Sequence, residues 1–378
     1  MIYLDNASTT FPKAPGVAEA MSRYITDVGA SPGRGAYALA RESGQIVTDT
    51  RNALAGFINA PDPDRVIFTA SCTDALNIAI KGCLQPGDHV VTTMLEHNSV
   101  SRPLEALRRN GVITLTRVPF DDGGFVDPQS VADAITPRTR LVVMIHASNA
   151  IGTVQPIGDV GAITRNTGVL LLIDAAQSIG LIDIDVQSIQ CDMLAFPMHK
   201  ELLGPSGIGG LYVAGSVQLR AWREGGTGFN AAHPVQPDDF PYHLEAGTPN
   251  TVAIAGVGAA LKSVDPPATR AHVRRLLTRF LEHLGDQPNI NILGTRELDR
   301  RTNALAFLVG GYTPHEVAVI LDESFGIAVR AGMNCAPYVH KHLNTAPDGA
   351  VRISPGPYNT DEDMDQAAAA LRKIAESR

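Results

Sequence analysis

At 378 residues the chain is long enough for two domains that each bury a core of their own. Its 31 Lys+Arg against 39 Asp+Glu leave a net charge of −8 with no basic run, so a nucleic acid gripped through its phosphates is not an expected partner. No stretch approaches the roughly 18 apolar residues of a membrane span, and MIYLDNASTT is not a secretory leader. A cytoplasmic protein without a membrane partner is expected, and Cys72, Cys83, Cys191 and Cys335, far apart and without a CxxC, suggest neither a metal site nor a disulfide scaffold.

Short apolar runs at 66–69, 90–93, 141–145, 169–174, 193–196 and 210–213 alternate with segments of helical spacing such as 74–83 and 101–109. Runs that are continuously apolar suit strands covered on both faces, which predicts an α/β fold with a mostly parallel central sheet. A Pro- and Gly-rich stretch over 225–250 breaks this rhythm. An apolar helix at 252–264, a basic helix near 271–284, a strand at 302–309 and helices at 314–325 and after 360 then predict a smaller C-terminal α+β domain. The expected division is a large domain over 14–250 and a small one made of 1–13 and 251–378.

Three strand exits carry chemistry. SCTDALNIAIKG at 71–82 follows a strand, so small and hydroxylated residues open a helix whose first N–H groups and dipole suit a phosphate, with simple N-capping as the rival reading. In VLLLIDAAQSIG, Asp174 ends an apolar strand and would face a crevice at the sheet's carboxyl edge, unless it only caps the next helix. In DMLAFPMHKELLGPSGIGGLYV, Lys200 is one of only six lysines and follows a strand directly. Such a lysine is either a snorkelling surface residue or an amine kept desolvated for Schiff-base work. Together with the phosphate cradle and the acid, the second reading is preferred.

From YLDNASTT at 3–10 to RISPGPYNT at 352–360, these motifs in this order resemble the class V aminotransferase family of fold-type I enzymes that use pyridoxal 5′-phosphate (PLP), and within it the cysteine desulfurase group. The resemblance implies PLP held on Lys200, its phosphate at Cys72, Thr73 and His199, and His97 of LEHNSV stacked on the ring. It implies Asn149 of HASNAIG and Gln177 at the ring oxygen and Asp174 on the pyridine nitrogen, which keeps that nitrogen protonated and the ring an electron sink. Thr227 of EGGTG would reach the phosphate of a partner subunit, so a homodimer is implied. Arg352, with Arg330 and Asn334 nearby, would receive the carboxylate of an amino-acid substrate through a planar fork. Cys335 of VRAGMNCAP falls where the desulfurases carry the nucleophile that takes sulfur as a persulfide, in contrast with the inert core role of most lone cysteines.

The pattern is broken in two places. Pro197 and Met198 stand where a hydroxyl and a glycine are usual before the lysine, and Met333 and Asn334 stand where histidines are usual before the nucleophile. The expected reaction is conversion of L-cysteine to alanine, with Lys200 or His97 moving the Cα proton, Cys335 taking the sulfur, and a protein as possible sulfur acceptor. The alternative is a C–S β-lyase acting on an S-substituted cysteine to give thiol, pyruvate and ammonia without a cysteine nucleophile. Transamination, and a non-catalytic dimeric binding protein, rank below it. The trio His340, Lys341 and His342 reads as a solvated face and not as a metal site.

Overall fold

A computed structural model describes residues 1–33, 35–230 and 232–377. The apolar runs become neighbours in a seven-stranded sheet, ordered Val66–Thr69, Gly209–Val213, Met193–Pro197, Leu170–Asp174, Thr139–Ile145, His89–Thr93, Thr114–Val118. Gly209–Val213 alone runs against its neighbours; every other pairing is parallel. The runs are continuously apolar because one hydrophobic cluster covers each face. The edge strand Thr114–Val118 escapes recognition in the sequence because alternate residues of TLTRV are exposed and polar.

Parallel direction decides where the chemistry lies. The exits of Val66–Thr69, His89–Thr93, Thr139–Ile145, Leu170–Asp174 and Met193–Pro197 all open on the same carboxyl edge. Residues that follow these strands within a few positions therefore meet, although more than 120 separate Cys72 from Lys200 in the sequence.

A second core, holding Leu4, Phe280, Phe307, Leu321 and Met364, lies under a four-stranded antiparallel sheet ordered Arg330–Gly332, Ala350–Ile353, Leu305–Val309, Ile290–Leu293. Helices Pro266–Leu284 and Asp361–Glu376 pack on each other beside it. The first residues join this part of the molecule: Ile2–Tyr3 pairs in parallel with Ile327–Ala328. Helix Thr251–Ala260, grouped in the sequence with the small domain, packs instead on helices Val17–Arg23 and Ala38–Phe57 and adds Ala253, Ile254 and Val257 to the large core. Its glycines allow the approach, since a Cβ on Gly256 would lie 2.9 Å from the Met21 Cγ. We propose a domain boundary near Asp265, the N-cap of the following helix, in place of residue 250. Across the seam, a Cβ on Gly152 would sit 2.0 Å from the carbonyl oxygen of Ala304, so glycine is required where the two parts touch. Among the described residues no helix is long and apolar enough to cross a membrane.

Candidate active site

Each wall of the cavity begins at a strand exit. Ser71 caps helix Cys72–Cys83, its hydroxyl accepting from the Asp74 N–H at 3.1 Å, while the Asp74 carboxylate accepts from the Ala70 N–H at 3.1 Å. This fixes the direction of the helix, whose N-terminus faces a cavity of about 230 Å³ lined by Cys72, Thr73, His97, Asn149, Asp174 and Lys200, with Gln177, Pro197 and His199 also in its wall. His97 is itself the N-cap of helix Asn98–Arg109: its Nδ1 accepts from the Ser99 N–H at 3.0 Å and lies 2.9 Å from the Ser99 hydroxyl. That hydroxyl is in turn 2.7 Å from Thr73 Oγ1. An accepting Nδ1 leaves the proton of the neutral ring on Nε2. Burial, then the charges of Lys200, Arg102 and Arg352, push the His97 pKa down to about 4, so the ring is an uncharged plate.

Asp174 is 1% exposed, and its Oδ1 accepts from the Ala176 N–H at 2.9 Å and lies 3.7 Å from the Cys72 thiol. Burial pushes its pKa up and pushes that of Lys200 down, so the pocket holds an acid and an amine that both resist charging in isolation. Burial raises the Cys72 thiol far more, which keeps it protonated as a donor to Asp174. His199 lies 3.1 Å from the Thr9 hydroxyl and is pushed down to about 4 by burial, Lys200 and Lys13. Gln177 donates to the Ala7 carbonyl at 3.0 Å, tying the N-terminal segment over this site. The carbonyl oxygen of the Asn149 side chain is buried without a partner among the described residues.

Residues of the C-terminal part meet this cavity's wall at Asn149. Arg352 is 3% exposed, and its guanidinium donates to the Asp5 carboxylate at 2.9 Å, the Ser8 hydroxyl at 2.9 Å and the Asn149 carbonyl at 2.6 Å. Its Nε has no partner among the described residues, a buried donor left for a ligand. Arg330 is its cross-strand neighbour and is exposed. Cys335 is exposed on the four residues between strand Arg330–Gly332 and helix Pro337–His342. Asn334 and Cys335 both have positive φ, 47° and 55°, a conformation that costs most residues energy. Contacts hold it there: the Asn149 amide donates to the Asn334 carbonyl at 2.5 Å, and the Asn98 N–H to the Cys335 carbonyl at 2.8 Å.

Thr227 stays apart from this cluster within one chain. It bonds the Phe229 backbone and lines a separate cavity of about 560 Å³ with Arg51 and Glu245. Pro197 ends its strand in the cavity wall and brings no hydroxyl; Ser99 and Thr73 are the hydroxyls near His97. The histidine trio does not form one solvated face. His340 is fully buried with Nδ1 2.8 Å from the Thr345 hydroxyl, because the short helix turns that side inward. Asp5 and Ser8 of YLDNASTT and Ser99 of LEHNSV carry no local signal of a role in the site. The roles of Asp5 and Ser8 depend on pairings with Arg352 that span 347 and 344 positions.

The family model for aminotransferase class-V matches residues 2–367. The chain belongs to that family. It is 38% identical to a probable cysteine desulfurase of Methanothermobacter thermautotrophicus, over 99% of this chain and 94% of that protein. The apo structure of the cysteine desulfurase of Thermococcus onnurineus superposes with a TM-score of 0.93 at 30% identity, covering 100% and 95% of the two chains. The S-sulfonic acid form of the cysteine desulfurase CsdA of Escherichia coli does so at 0.88 and 28%, covering 99% and 94%. A class-V fold with a mostly parallel sheet, and an enzyme, are therefore what the chain is; the family is one of PLP users. The residues fit that group. A desolvated amine, a buried carboxylate, a planar uncharged imidazole and a helix N-terminus around one cavity are the groups a pyridine aldehyde phosphate requires.

Proposed function

We propose that this protein is a PLP-dependent cysteine desulfurase that converts L-cysteine to alanine and takes the sulfur on Cys335. The observation that carries the proposal is the pairing of two sites in one wall: Asn149, in the wall of the Lys200 cavity, holds the loop that presents Cys335.

When bound, the cofactor supplies an electron sink that acidifies the substrate Cα–H. Lys200 would anchor it, Asp174 pair with its ring nitrogen, His97 cover its face, and Asn149 and Gln177 meet its ring oxygen. Cys72, Thr73 and His199 would hold the phosphate, joined by Thr227 from a second copy of the chain in a homodimer. Arg352 receives the substrate carboxylate through the fork that Asp5 and Ser8 orient, with Arg330 and Asn334 beside it. Burial lowers the Lys200 pKa, so the amine gives up its proton more readily than a solvated lysine, which suits it to carry the proton at Cα. The Cys335 thiolate attacks the substrate sulfur; the Cβ–S bond breaks as the S–S bond forms, and protonation at Cβ together with return of the Lys200 proton to Cα completes alanine. Cysteine plus thiol thus becomes alanine plus persulfide, with no outside oxidant. A homodimer is supported by Phe229 and Trp222, apolar residues 39% exposed around the Thr227 loop. A cytoplasmic setting is supported by four free cysteines, which a reducing compartment preserves.

Product analysis with L-cysteine tests the reading. Alanine and a persulfide on Cys335 are expected from the wild type, with alanine lost in Cys335→Ala. Pyruvate in place of alanine, unchanged in Cys335→Ala, would make the enzyme a C–S lyase. Sedimentation at micromolar concentration tests the dimer.

A further inference from the structure

Beside Cys335 lies a groove of about 590 Å³ between helices Asn98–Arg109 and Pro337–His342. Asn98, at its near end, is the residue whose N–H holds the Cys335 carbonyl at 2.8 Å. Asn98, Arg102 and Arg109 share one face of their helix, so the stripe runs about 16 Å from the cysteine at 1.5 Å per residue. Tyr338 and Lys341, three apart on the facing helix, form the other bank.

The charges are unbalanced. Glu105, the one acid in the lining, is occupied: it bridges Arg108 and Arg117, each at 2.9 Å, and accepts from the Tyr338 hydroxyl at 3.1 Å. Arg102, Arg109 and Lys341 are exposed, and no ion pair is described for any of them. A cationic groove on a chain of net charge −8 is a local reversal of sign, running outward from the loop that bears the exposed thiol. Its length matches about five residues of extended chain, and the Tyr338 ring, with the Arg117 guanidinium 4.2 Å above it, offers a flat apolar patch midway.

Building on the desulfurase reading, we infer that this groove docks an acidic, extended segment of a sulfur-accepting protein, with the acceptor's thiol lying at the Asn98 end. There the acceptor thiolate bonds to the outer sulfur of the Cys335 persulfide, the S–S bond to Cys335 breaks, and Cys335 leaves as thiolate. Atoms and charge balance without any further reagent.

The test uses PLP-loaded protein and synthetic peptides that carry one cysteine beside three glutamates, three glutamines or three lysines. Transfer of sulfur to each peptide is followed by mass spectrometry, and binding of each by fluorescence anisotropy, at about 20 mM and about 0.5 M salt. The glutamate peptide is expected to bind and accept sulfur at least about tenfold better than the glutamine peptide at low salt, shrinking to about twofold at high salt. Arg109→Glu and Lys341→Glu are each expected to lower that preference severalfold, with alanine release to dithiothreitol unchanged. Equal use of the three peptides, or an acid preference that survives both charge reversals, overturns the groove. If the wild type releases no alanine to dithiothreitol, the desulfurase reading fails, and the peptide-binding comparison still decides whether the groove selects acidic chains.

Discussion

The Lys200 cavity and the Cys335 loop face each other across the domain seam and are built on opposite physical plans. Asp174 is almost wholly buried and Lys200 desolvated at the ends of parallel strands, so their ionisation is governed by their surroundings. Cys335 is exposed on a short loop of the small domain, in a backbone conformation that two hydrogen bonds maintain. Chemistry on a carbanion needs exclusion of water and fixed dipoles. Delivery of an atom to another molecule needs access. A single cavity cannot supply both, and the seam lets one enzyme combine them.

The sharpest way to separate the two regions is Lys200→Ala. Alanine release is expected to fall by at least roughly 10³-fold, while alkylation of Cys335 by iodoacetamide stays within about twofold of wild type, read by mass spectrometry. A large change in alkylation would mean that the two regions are not independent. Next comes Asp5→Asn, which leaves the hydrogen-bonding shape beside Arg352 and removes the charge that orients it. KM for cysteine is expected to rise about tenfold with kcat changed less than about threefold, because the interaction acts on bound substrate and transition state alike. An equal fall in kcat would place Asp5 in the reacting geometry.

The smallest effect concerns stability. Glu201, next to Lys200, is 3% exposed and accepts from the Asn303 amide at 2.6 Å, a hydrogen bond that crosses between the domains. Burial pushes its pKa from 4.5 up to about 7. The folded state therefore holds this proton longer than the unfolded chain does. The contribution of this group to stability is greatest below pH 4.5, is lost as pH rises from there to about 7, and stays low above. Glu201→Gln keeps an acceptor for Asn303 and removes the titration. The variant is expected to gain on wild type by up to roughly 3 kcal/mol at about pH 8 and by little near pH 5, measured by urea unfolding at both values. A gain independent of pH would assign the effect to packing.

What could be read in the sequence follows the same division. The strands of the large domain announce themselves because both faces are covered, and the residues at their exits follow within a few positions. Asp174, Lys200 and His97 were legible for that reason. The small-domain side was less so. Asp5 and Arg352 meet because Asp5 bridges in parallel to Ser354, just past the strand of Arg352, a pairing that no local pattern encodes. Likewise, the inward turn of His340 depends on the packing of a six-residue helix, too short to show periodicity. The packing of helix Thr251–Ala260 on helices Val17–Arg23 and Ala38–Phe57 is not legible, since apolarity around its whole circumference does not say which core it joins.

The pairing of Asp5 with Arg352 also sets a clock. Their 347 positions of separation mean that, at a ribosomal pace of about 5–20 residues per second, roughly 20 to 70 seconds pass between the synthesis of one partner and the other. The strands that lead to Lys200 and Asp174 are complete well before then, so the Arg352 guanidinium, proposed here to receive the substrate carboxylate, is the last part of the candidate site to be made.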